Sequence, residues 1–93
     1  MSKSIMQDEK VCYLNSGELV LDKHHIFNGP FRKVSEKYGL WVWLGHNTHL
    51  YDVHEKPENM LKLKQEGQRV FEKKYGHVAF MQIFKKNYLA MEL

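Results

Sequence analysis

The chain has 93 residues, 43% of them hydrophobic and 27% charged, with a formal net charge of +3 and a pI near 9.0. That is the make-up of one soluble globular domain, and it excludes a disordered tail, a collagen-like fibre and a membrane span. The longest apolar run is Leu40 to Leu44, where a bilayer needs about 20 residues, and the mild positive charge permits nucleic-acid binding without demanding it.

Residues 1–10 are polar and are expected to form a flexible N-terminus ahead of a single domain, 11–93. They lack the apolar run of a signal peptide, and one Cys cannot make an internal disulfide, so the expected compartment is the cytoplasm. Asn15-Ser16-Gly17 marks a turn. Glu18 to His25 then reads as a short strand ending in two histidines. Asn28-Gly29-Pro30 is a loop, and Arg32 to Tyr38 a turn of helix stopped by Gly39. Leu40 to Leu44, with two Trp and a Val, has the composition of a strand packed on both faces. Gly45 to His54 reads as a second loop. A long helix is expected from Pro57 to a stop at Gly76, its inner stripe being Met60, Leu63, Gly67, Val70, Phe71 and Tyr75. Gly67 within that stripe implies a close backbone approach. A short helix from His77 to Lys85 should turn Val78, Met81 and Phe84 inward. The class is therefore α+β.

The histidines carry the functional signal. Five of the six fall between positions 24 and 54, two at the end of the first strand and three between the second strand and the long helix. A hairpin capped by a helix would bring the two groups together, and three imidazoles can hold one divalent ion with positions left open. Neighbours in a strand point to opposite faces, so one histidine of the pair can bind metal while the other acts as a base. His77 reads as an ordinary surface residue.

At this point the chain resembles the small HNH endonucleases of bacteriophages and prophages. The likeness rests on His24-His25-Ile26-Phe27-Asn28-Gly29, Arg32-Lys33, Ser35 to Leu40, Val53-His54, Leu63-Lys64-Gln65 to Gln68, and Phe84-Lys85-Lys86-Asn87-Tyr88-Leu89. It spans about Cys12 to Leu89. It implies a ββα-metal (His-Me finger) hairpin with a long helix and a short C-terminal helix, and metal-dependent hydrolysis of DNA in the cytoplasm of a bacterial host. By position, His25 would be the general base, while His24, His49 and His54 would hold the divalent ion (Mg, Mn, Ni or Zn). Phosphate and DNA contacts would come from Arg32, Lys33 and Lys23, with the Arg32 fork the best match to phosphate.

Three departures qualify the likeness. Where relatives carry four zinc cysteines this chain has Cys12, Asn15, Gly45 and Thr48, so no structural zinc is expected, and Cys12 reads as a small buried residue. Leu40 stands near the motif's Asn, with Asn28 and Asn47 as candidate replacements. The family's Phe-Gly-Lys ending is Phe84-Lys85-Lys86 here. These losses leave an alternative of another class: a small phage-encoded binding protein or inhibitor of a host defence protein, keeping the fold without robust catalysis. Trp41 and Trp43 read as core or as an interface, the latter implying a homodimer.

Overall fold

The computed structural model describes residues 2–92. Strands β1 (Leu21–His25) and β2 (Trp41–Gly45) pair antiparallel, from Leu21 opposite Gly45 to His25 opposite Trp41. Helix α1 (Arg32–Lys37) lies between them, and α2 (Pro57–Tyr75) and α3 (His77–Phe84) follow. The result is an α+β hairpin-and-helix unit in the expected element order. Among the described helices, none is long and apolar enough to cross a membrane.

The pleat sorts the hairpin into two faces. His24, Val42 and Leu44 are buried, and Ile26 and Phe27, just beyond β1, enter the core with Leu40, Val53, Leu63 and Phe71. On the other face stand Lys23, His25, Trp41 and Trp43. The segment expected to be flexible runs beside β2: Ile5 N–H donates to Gly39 O (2.9 Å), Ser4 Oγ to Trp41 O (2.6 Å) and Trp43 N–H to Gln7 Oε1 (2.6 Å). The two Trp rings meet edge to face at 5.5 Å, with Trp41 buried and Trp43 half-buried.

The helix α2 crosses the chain just after β1 at Gly67. A Cβ there would come within 2.8 Å of Ile26 Cγ2, so only glycine lets the helix backbone come this close. Residue 68, off the expected stripe, is fully buried Gln68. Its Oε1 accepts from Tyr88 N (2.8 Å) and Leu89 N (3.2 Å), and its Nε2 donates to Asn87 Oδ1 (2.8 Å). A buried amide is tolerable when its hydrogen bonds are met, and this one clasps Asn87-Tyr88-Leu89 to α2. Phe27 packs on Phe84, Tyr88 and Phe80 at 4.5, 5.3 and 5.6 Å.

Two expectations need correction. In α3 it is Phe80, with Phe84, that faces inward; Val78 is 70% exposed. Phe80 and Phe84 are one turn apart and share a side, while Val78 stands about 200° around the axis from Phe80 at 3.6 residues per turn. Met81 packs against the core as expected. The second correction is that Gly45 to His54 is not simply a loop: Thr48–Val53 forms a π-helical turn.

Candidate functional site

Each candidate ligand arrives by its own route. The alternation of β1 turns His24 inward, where it is 4% exposed. His49 and His54 come from the π turn, closed by a bond from His54 N–H to His49 O (3.1 Å). Five residues apart on an α-helix, two side chains diverge by about 140°. The π turn's i→i+5 bonding instead stacks them on one side. The three imidazoles therefore converge, with one ring nitrogen of each within 4.8 Å of the others. His49 Nε2 lies 3.2 Å from His24 Nδ1 and 2.8 Å from His54 Nε2. Nitrogens held 2.0–2.1 Å from a tetrahedral ion stand about 3.4 Å apart, so the cluster is close to the size of a ligand set. These three histidines could hold a metal ion.

Protonation and outer hydrogen bonding fit that donor set. His24 meets His49 through Nδ1, while its Nε2 is buried with no hydrogen-bond partner among the described residues. Burial, reinforced by His49 and His54, pushes the His24 pKa down to about 3, so its ring is neutral at physiological pH, as a ligand must be. Behind His49 lies Asp22, whose Oδ2 is 3.1 Å from His49 Nδ1 and 2.8 Å from His46 Nδ1. A bond from His49 Nδ1–H to this carboxylate leaves Nε2 as the lone pair, the arrangement that orients metal-bound histidines. Asp22 is held below the ordinary carboxyl range by His49 first and His46 second.

The entry to the π turn is fixed by Glu18. Its carboxylate accepts from Thr48 Oγ1 (2.6 Å), Asn47 N (2.8 Å) and Thr48 N (3.3 Å). The Thr48 hydroxyl, then that of Ser16, holds its pKa down at about 2. A Cβ on Gly45 would overlap this carboxylate, so β2 ends on glycine. Cys12 is buried beside the same corner.

His25 is not brought to the cluster. It occupies the opposite face, where its Nε2 is 3.0 Å from Glu36 Oε1, and Lys23 Nζ reaches the same oxygen at 2.6 Å. Lys23 also stands 4.2 Å over the Trp41 ring. The Glu36 pKa is held at about 2, by Lys23 above all and by His25 after the cost of burial. Arg32 and Lys33 are exposed at the start of α1, with no ion pair among the described residues. His77 is on the surface, bonded to Glu72. The sequence reading missed Asp22, Glu36 and Glu18. Asp22 alternates with His24 along β1, a local signal that could have marked it. Comparison with known protein families, characterised proteins and solved structures finds no match for this chain.

Proposed function

We propose that the protein is a metal-dependent endonuclease of the HNH type, hydrolysing phosphodiester bonds of DNA in the cytoplasm of a phage-infected or prophage-bearing bacterium. The observation that carries this reading is the convergence of His24, His49 and His54 on one point, contributed by the hairpin and by the turn leading into α2. In this reading the hairpin, π turn and α2 make up a ββα-metal unit, and the sequence resemblance supplies the reaction class.

One divalent ion held by the three imidazoles would offset charge on the phosphate and on the departing 3′ oxygen. The remaining work belongs to the chain's own residues. The resemblance assigns His25 the proton of the attacking water, although its ring stands on the face opposite the cluster. Its Nε2–H donates to Glu36, which leaves Nδ1 as the basic nitrogen and fixes the ring. Arg32 and Lys33 engage the flanking phosphates, being exposed and unpaired among the described residues. Lys23 joins them only by giving up Glu36.

The alternative, a phage-encoded inhibitor that binds a host defence protein, is favoured by one observation: His25 turns away from the cluster. Plasmid cleavage with Mg²⁺, Mn²⁺, Ni²⁺ and Zn²⁺ separates the two. The nuclease should cut with at least one ion and lose 10²–10⁴-fold in rate in His25→Ala, with an unchanged circular dichroism spectrum. No cleavage with any of the four, together with stoichiometric capture of a host protein, sinks the nuclease and supports the inhibitor.

A further inference from the structure

His54 closes one end of an open groove of about 620 Å³ between the start of α2 and the segment after α3. Met60 and Met91 give the groove apolar walls, and Lys64 and Lys86 put two ammonium groups into it. Both stand over one ring: Lys64 Nζ is 5.5 Å and Lys86 Nζ 5.4 Å from the centroid of Tyr88. The far wall is pinned, because Gln65 Nε2 donates to Tyr88 O (3.0 Å) and Met91 O (2.9 Å) while Gln68 holds Tyr88 N. The groove is thus formed before any ligand arrives.

Neither lysine is in an ion pair among the described residues, although Glu58 and Glu92 also line the rim, both exposed. Burial, then the neighbouring Lys86, lowers the Lys64 pKa, so the charged pair is costly while it stands alone. An anion between the ammonium groups removes that cost. A cavity of this size suits a nucleotide-sized ligand, and the methionines offer it a flexible apolar surface.

We propose that this groove binds the backbone of a nucleic-acid strand alongside the histidine cluster, with Lys64 and Lys86 sharing one phosphate and Met60 and Met91 taking the adjoining sugar or base. The identity of the strand rests on the nuclease reading; the demand for an organic phosphate comes from the groove itself. The strand would reach the cluster over His54, the residue common to both.

The test needs no catalysis. Binding of a fluorescent 12-nucleotide DNA strand to the metal-free protein, in EDTA, is followed by anisotropy over a range of KCl concentrations. Lys86→Gln, at an exposed position, and the Lys64→Gln/Lys86→Gln pair should weaken binding several-fold and lower the log–log salt slope by about 0.7, the value for one lost single-strand phosphate contact. Lys73→Gln, about 13 Å farther along α2, should bind as the parent does. No binding by the parent, or unchanged affinity and slope in both variants, overturns the groove. Lysine-dependent binding without cleavage by any metal keeps the groove and rejects the nuclease. Cleavage with undiminished strand binding in the variants does the reverse.

Discussion

His24 and His25 are neighbours of the same residue type, and the hairpin places them in opposite surroundings. On one face His24 sits dry among two other imidazoles, neutral, with a buried nitrogen that finds no partner. On the other, His25 shares a carboxylate with a lysine and packs into an ionic network. The contrast shows that one step of pleat decides an imidazole's surroundings: the first ring joins a group that could hold a cation, the second pairs with a carboxylate. Two independent devices secure the difference, the Asp22 bond behind the first face and the Glu36 bond behind the second.

The largest expected effect tests whether the metal belongs to one face alone. His49→Ala should lower Zn²⁺ or Ni²⁺ affinity by more than about 100-fold in calorimetric titration, beyond the range of an outer-shell loss. Glu36→Gln should leave that affinity alone. Equal losses in the two variants would erase the distinction. Next in size is Asp22→Asn, which keeps the volume but weakens the brace on His49. It should cost 10–100-fold in affinity by the same titration, and an unchanged value would show that His49 is oriented by the π turn alone.

The smallest effect is in acid stability of the metal-free protein, and the two faces should fail in different windows. The folded pKa of His24, about 3, is below its ordinary 6.5, so the unfolded chain binds more protons between these values. The stability tied to neutral His24 is complete above pH 6.5 and is lost as pH falls toward 3. Glu36 is depressed from 4.5 to about 2, so its contribution is intact above pH 4.5 and is lost only on the way to 2. Glu18, also held at about 2, shares that lower window. Urea unfolding at a series of pH values should show His24→Gln flattening the limb from 6.5 downward, and Glu36→Gln lowering stability evenly above 4.5 while flattening only the part below it. Coincident curves for the two variants would refute the separation.

Much of the frame was legible because its signals are local. Pro57 and Gly76 bracket α2, the Leu40–Leu44 run marks β2, and Gly67 announces the close approach to Ile26. The histidine grouping was legible too, since the order of elements brings the pair at the end of β1 toward the histidines ahead of α2; the choice of His24, His49 and His54 came from the family resemblance, and the π turn that aligns the last two was not foreseen. What escaped depends on partners distant in sequence. Gln68 looks like a surface residue until Asn87, Tyr88 and Leu89 arrive to satisfy it. Glu36 and Glu18 look like solvated acids until β1 and the π turn supply their donors. Phe80 was displaced by Val78 because the phase of an eight-residue helix is set by the core it meets. Lys85 is a related case: it takes a left-handed conformation, φ 61°, at the position where the resembling family carries glycine.

The π turn has a consequence for how such sites are recognised. Ligand pairs on helices are usually sought as two histidines with three residues between them, the interval that an α-helical turn aligns. Here four residues intervene between His49 and His54, and the widened turn absorbs the extra one. A search string of fixed length passes over the pair, whereas one that lets the interval grow by a residue wherever the turn can widen would retrieve it. Of the four intervening residues, Leu50, Tyr51 and Asp52 are exposed while Val53 is anchored in the core, so the turn can take its extra residue on the solvent side while the two rings keep their rendezvous.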